Sequence, residues 1–315
     1  MDDRESNFRE RGGSLDLSVK IAGIQWNNPI TTASGTFSIR DSEAFYAPSL
    51  LGALTTKGVS LDPWDGNLSP RIAETYGGML NAIGLENPGV QRFQTEELPL
   101  LLSAGPPVIV NLAGRTLDEY AMLAEQLDDT GIAMLEVNIS CPNIKEGGIA
   151  FGTDPAMAAA VTSAVKRRTS KPIFVKLSPN VTDITEIARA VEAAGADGIS
   201  MINTLLGMRI DLARRRPVLA NRMGGLSGPA IKPVAVRMVY QVRRTVDLPI
   251  IGMGGIMTGL DAAEFLLAGA DSVAVGTAAL LDPTAPVRIL HELQDFLLEQ
   301  GFKSITQWKN AFQDI

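Results

Sequence analysis

Cysteine occurs once in the 315 residues, as Cys141, and histidine once, as His291. A single thiol excludes an intrachain disulfide, and with no Cys-x-x-Cys pair or Cys/His cluster the sequence offers neither a metal site nor ligands for an iron–sulfur cluster. His291 falls on a late amphipathic helical pattern, Val287 to Leu293, which argues against a His-dependent triad or a histidine general base. No apolar run approaches the ~20 residues that span a bilayer. Residues 1–14 are charged and polar, resembling neither a signal peptide nor an amphipathic anchor, and read as a flexible arm of a cytoplasmic protein. The net charge is −7 and the longest basic cluster is Arg214-Arg215-Arg216, so no stripe exists to neutralise a nucleic-acid backbone. That triplet reads as a loop ion-pair or interface element.

What is present is a core former: 45% hydrophobic and 20% charged residues suit a folded globular chain. The length fits two average domains or one large barrel. Short apolar runs alternate with helical patterns throughout. Strands are expected at Ile30–Ala33, Ala53–Thr56, Pro107–Asn111, Met134–Asn138, Ile173–Leu177, Gly198–Ile202, Pro249–Gly252 and Ser272–Val275. Helices are expected at Ser42–Pro48, Val90–Leu102, Leu117–Asp128, Pro155–Arg168, Ile184–Ala194, Ala230–Thr245, Leu260–Leu267 and Pro283–Gln300. Asp154 and Asp282 precede prolines as helix caps, and Gly131, Gly195 and Gly269 stand where helices end. Eight βα repeats with no second composition regime favour a single α/β fold, a (β/α)8 TIM barrel over residues 15–300 followed by a tail at 301–315. Three connections, 58–89, 139–154 and 203–228, are too long for turns, and each follows a strand onto the C-terminal face, where barrels build their sites.

The residues just beyond those strands should converge: Ser34, Lys57, Asn111, Asn138 with Cys141, Lys176, Asn203 with Thr204, Gly254 with Gly255, and Gly276 with Thr277. Glycines after the last two strands let backbone N–H groups approach a phosphate, and Gly224-Gly225-Leu226-Ser227-Gly228 reads as a third such turn before a helix. No dinucleotide fingerprint or Walker lysine is present, which favours a mononucleotide-like phosphate over NAD on this chain. Lys57 and Lys176 either snorkel to the rim or set fixed positive charge beside an electron-rich ring or an anionic substrate. Asn81, Asn138, Asn143 and Asn203 can meet a ring edge carrying C=O and N–H groups. Cys141 sits past the fourth strand, before Pro142; a thiol there suits a base or a nucleophile, and the residues leave the two open.

These motifs resemble the dihydroorotate dehydrogenase family from about Leu15 to Leu298. The likeness is carried by Ala33-Ser34-Gly35, Thr56-Lys57-Gly58, Asn81-Ala82-Ile83-Gly84-Leu85, Asn138-Ile139-Ser140-Cys141-Pro142-Asn143, Val175-Lys176-Leu177-Ser178-Pro179 and Gly224 to Pro229. The resemblance implies FMN-dependent oxidation of dihydroorotate to orotate in pyrimidine synthesis, with Cys141 taking the C5 proton while the C6 hydride goes to FMN. It implies substrate contacts from Lys57, Asn81, Ala82, Ile83, Gly84, Leu85, Asn138, Asn143, Asn203 and Thr204. It implies FMN contacts from Ser34, Lys57, Gly58, Asn111, Asn138, Lys176, Ile202, Gly228, Gly254, Gly255, Gly276 and Thr277. A cysteine base marks the soluble class 1, and Met208 to Leu212 through Arg215-Arg216-Pro217 resemble its NAD-linked branch, class 1B. In that branch two catalytic chains pair with two partner chains carrying FAD and a 2Fe–2S cluster; fumarate or another direct oxidant is the alternative acceptor. The tail after Gly301 departs from the pattern. Other readings are a flavin barrel acting on reduced pyrimidine bases or tRNA dihydrouridine, the latter disfavoured by the acidic charge, and a non-catalytic phosphate-ligand sensor.

Overall fold

The computed structural model describes residues 15–140 and 148–314. The arm at 1–14, and Cys141 and Asn143, lie outside the described residues. Eight strands form one parallel sheet: β1 (Ile30–Thr32), β2 (Leu54–Thr55), β3 (Val108–Leu112), β4 (Met134–Asn138), β5 (Ile173–Lys176), β6 (Gly198–Met201), β7 (Ile250–Gly252) and β8 (Ser272–Val275). From β2 to β8 each strand pairs with the next in sequence, and β8 pairs with β1. Every residue of these strands is buried, because helices cover the outside while side chains fill the inside. The circle closes between β1 and β2 through a single bridge, Thr31 to Ala53. Threonine side chains complete that seam: Thr31 Oγ1 donates to Ala53 O (2.9 Å), Thr32 Oγ1 to Thr55 O (3.2 Å), and Thr55 N to Thr32 Oγ1 (3.0 Å). The (β/α)8 barrel read from the sequence is the fold observed.

A hairpin, Val19–Ile21 with Ile24–Trp26, plugs the N-terminal mouth. Its two-residue turn holds both Ala22 and Gly23 at positive φ, as the twist of a tight hairpin demands. Ile21 and Trp26 are fully buried in one cluster with Ile109, Met134, Phe174 and Ile251 from the barrel interior.

Helix ends follow local chemistry. Asp154 caps Pro155–Lys166 by accepting from Met157 N (2.9 Å), and Thr258 with Asp261 forms a capping box on Gly259–Leu267. Gly195 and Gly269 take positive φ past their helices, whereas Gly131 does not. Four expectations shift. The first helix is Ile39–Ser42, because Ser38 caps it, and not Ser42–Pro48. The segment expected as one helix from Val90 splits into Val90–Arg92, a π-helical turn Phe93–Glu97 and Leu98–Ser103; Pro99 has no N–H, and the ladder changes register before it. The last barrel helix is Ala285–Glu299, with Pro286 rather than Pro283 in its first turn, after a separate helix at Thr277–Leu281. The glycine turn at 224–228 is a strand, Met223–Ser227, and only Gly228 is in the positive-φ region.

That strand belongs to a second, antiparallel sheet over the C-terminal mouth, ordered Leu205–Met208, Met223–Ser227, Gly78–Asn81, Ile72–Thr75. The long connections after β2 and β6 are therefore one paired rim. At the other end of the chain, the helix Ile305–Lys309 docks on the barrel: Trp308 Nε1 donates to Ala263 O (2.9 Å), and its indole meets Phe296 and Phe302 edge to face.

Candidate active site

The C-terminal strand ends and the rim sheet enclose a cavity of about 280 Å3. Ser34 reaches it beyond β1, Lys57 and Gly58 beyond β2, Asn138 at the end of β4 and Lys176 at the end of β5. Ile202, Asn203 and Thr204 follow β6, Gly254 and Gly255 follow β7, and Gly276 and Thr277 follow β8. The rim adds Asn81, Ile83, Gly84 and Leu85. Three named residues stand behind the wall. Ala82 is fully buried under the rim, Asn111 is buried within β3, and Gly228 follows the lining residue Ser227.

The sequence reading missed Thr36, Met79, Ser227, Met253, Ile256 and Leu280 on the lining. Ser227 could have been found, since it lies inside the glycine motif and Thr277 Oγ1 meets its Oγ at 2.9 Å. Met79 could not, because its strand exists only through pairing with Ser227 and Glu74.

Two features of the wall depend on glycine. Gly255 has φ +84, and a Cβ there would stand 2.8 Å from Gly228 O and from Lys232 Cβ. A Cβ on Gly225 would overlap Thr204 Oγ1 at 2.0 Å, so the rim sheet can lie against the β6 loop only with glycine there.

Carboxamides are tied together on the opposite side. Asn138 Oδ1 accepts from Ser140 Oγ (3.0 Å) and from Asn203 Nδ2 (3.4 Å), and Asn203 Nδ2 also donates to Ser140 Oγ (2.7 Å). Tyr120, buried beneath, donates its hydroxyl to Asn138 O (2.7 Å). This network fixes Ser140, the residue that precedes Cys141 in the chain.

The electrostatics are one-sided. Among the described lining residues stand two cations, Lys57 and Lys176, and no carboxylate, on a chain of net charge −7. Such a cavity favours anions. Lys176 does not snorkel: it is 5% exposed and its Nζ lies 3.6 Å from Glu136 Oε1. The single histidine and the arginine triplet lie outside the cavity lining. His291 is exposed on Ala285–Glu299, and Arg214 pairs with Asp211 on the surface. Among the described residues no cluster of His, Cys, Asp and Glu could hold a metal, and no helix is long and apolar enough to cross a membrane.

A (β/α)8 barrel whose cavity opens at the C-terminal strand ends, edged by glycines beyond β7 and β8, has the architecture of many barrel enzymes. The comparisons with known proteins narrow this. The family profile described as dihydroorotate dehydrogenase matches residues 16–297, and the chain belongs to that oxidoreductase family. It is 55% identical over 298 residues to a protein of Alkaliphilus metalliredigens, covering 94% of this chain and 99% of the relative. It is 57% identical over 297 residues to a protein of Geotalea uraniireducens (94% and 97%) and 56% over 300 residues to one of Geobacter sulfurreducens (95% and 98%). All three are named dihydroorotate dehydrogenase B (NAD(+)), catalytic subunit.

Proposed function

We propose that this chain is the catalytic subunit of an NAD+-linked dihydroorotate dehydrogenase, oxidising (S)-dihydroorotate to orotate in pyrimidine synthesis. The observation that carries the reading is the cavity itself, where Lys57, Lys176, Asn138, Asn203 and the glycine-rich ends of β7 and β8 face one space. The close relatives with the NAD-linked name support the choice of acceptor over fumarate.

FMN fits these residues. Its phosphate suits Gly254, Gly255, Gly276 and Thr277, where positive φ at the first two lets backbone approach an anion. Its polar ring edge suits Lys57, Lys176, Asn111 and Asn138, with Ser34, Gly58, Ile202 and Gly228 as the rest of the cradle. When bound, FMN supplies the acceptor for the C6 hydride. Lys57, Asn81, Asn138, Asn143, Asn203 and Thr204 hold the carboxylate and the amide edges of the substrate, and residues 82–85 cover it. Cys141, which follows the fixed Ser140 in the sequence, takes the C5 proton as the general base.

The dinucleotide fingerprint and the cluster cysteines missing from the sequence support a second subunit bearing FAD and a 2Fe–2S cluster. We assign a heterotetramer built on a homodimer of this chain, working in the cytoplasm away from membranes, as the class 1B resemblance implies.

Anaerobic titration of the purified chain tests the reading. Dihydroorotate should bleach a bound yellow flavin and dihydrouracil should not; a colourless protein would refute it. Cys141→Ser should keep FMN yet slow flavin reduction about 100-fold or more, most severely near neutral pH, as loss of a general base requires. NAD+ reduction by this chain alone would contradict the two-subunit arrangement.

A further inference from the structure

Beneath the cavity the barrel interior holds a single carboxylate among its described residues, Glu136, 2% exposed. Strand register sets Asn111 opposite Glu136, and Asn138 opposite Lys176, so these side chains share the inner face of β3, β4 and β5. Glu136 Oε1 accepts from Asn111 Nδ2 at 2.6 Å and lies 3.6 Å from Lys176 Nζ. The other inward positions at this depth, including Thr31, Thr55, Ser200 and Met253, carry no charge, and Lys57 at the rim is the other cation of the cavity.

Lys176 lines the cavity and Glu136 does not. The carboxylate therefore acts through its partners. For Lys176 it is the counter-charge that lets an ammonium stand out of water at the wall. For Asn111 it decides the amide orientation: a carboxylate only accepts, so Nδ2 must face it and Oδ1 must turn away. That Oδ1 is buried without a hydrogen-bond partner, close behind the lining residue Gly58. A buried acceptor left open in this way suits a ligand N–H.

We infer that Glu136 is a positioning residue for the flavin: it aims the Lys176 ammonium and the Asn111 carbonyl oxygen at the polar edge of the ring and sets the charge balance beside it. The inference rests on the FMN reading above. Glu136→Gln keeps the volume and an acceptor oxygen but removes the charge and frees the Asn111 amide to flip.

The test is fluorescence titration of apoprotein with FMN, together with the midpoint potential of the bound flavin. In the E136Q variant FMN affinity should fall about tenfold or more, as for loss of a charged hydrogen-bonding partner. At mildly acidic pH the potential should move positive, because a negative charge beside a ring that gains electrons is gone. Glu136→Asp should bring the potential back toward wild type. Added to Lys176→Gln, E136Q should lose most of its effect on affinity. An E136Q protein with wild-type affinity and potential, or an equal loss of affinity in both backgrounds, overturns the inference. If E136Q does not fold, the E136Q/K176Q double variant decides: folding and FMN binding like K176Q alone support the coupling, and failure to fold refutes it. Wild-type apoprotein that takes up no FMN would bring down the cofactor reading and this inference together.

Discussion

Glu97 sits half-buried on the π-helical turn, and removal from water pushes its carboxyl above the usual range while the charges of Lys57 and Arg40 pull it back only in part. A carboxyl raised in the folded state holds its proton more tightly there. Its stabilising contribution is complete below the unfolded value and is lost as pH rises through the folded one. Glu97→Gln should therefore raise the Tm at neutral pH and change it little near about pH 4, where the carboxyl is largely protonated. Thermal melts of the apoprotein check this; a larger gain in acid than at neutrality would contradict it. Gly255→Ala meets two obstacles, a positive φ and Gly228 O at 2.8 Å. It should cost ~1–2 kcal/mol of stability from the backbone alone and also weaken FMN binding, read by chemical denaturation and fluorescence titration. At this scale the sequence spoke through anomalies. A lysine closing an apolar strand, as Lys57 and Lys176 do, demands a reason, because an ammonium is costly to bury unless something compensates it. Glu136 poses the same question inside Met134–Asn138, yet its answer lies on β3 and β5, and only register brings Asn111 and Lys176 beside it.

Among elements, the barrel strands were legible because burial on both faces leaves continuous apolar runs such as Ile173-Phe174-Val175. The rim strands were not. Gly78, Gly207, Gly224 and Gly225 lower their strand propensity, and their pairing is remote: Asn81 and Gly225 stand opposite each other across 144 residues. Local pattern can suggest the hairpin of Ile72–Thr75 with Gly78–Asn81, but not the remote pairing with Met223–Ser227 that builds the sheet. The same applies to the helix Ile305–Lys309, five residues long and held by tertiary contacts rather than by its own propensity. Trp308→Ala should remove the Ala263 hydrogen bond and two edge-to-face contacts, costing ~2–3 kcal/mol in urea denaturation. FMN affinity should not change, since Trp308 is not on the cavity lining. Equal damage to both would show that this helix supports the site.

For the molecule as a whole, the barrel separates stability from chemistry along its axis. Trp26 and Ile21 seal the N-terminal mouth, while the polar lining lies at the other. Trp26→Ala should destabilise by ~3–5 kcal/mol, as large-to-small changes in a closed core do, and leave KM for dihydroorotate at its wild-type value. Calorimetry and steady-state assays separate the two; a raised KM without loss of stability would deny the division. The joint between β1 and β2 crosses it. Among the described residues that joint has one isolated bridge, a backbone bond from Gly52 N to Ile30 O (2.8 Å) and threonine side-chain bonds in place of a ladder. Local opening should cost least there, and hydrogen exchange would see it first. Ser34 and Lys57 extend the two sides of the joint into the cavity. An occupant that touches both becomes a clasp, so that binding at the mouth should slow the breathing of the wall at its weakest joint.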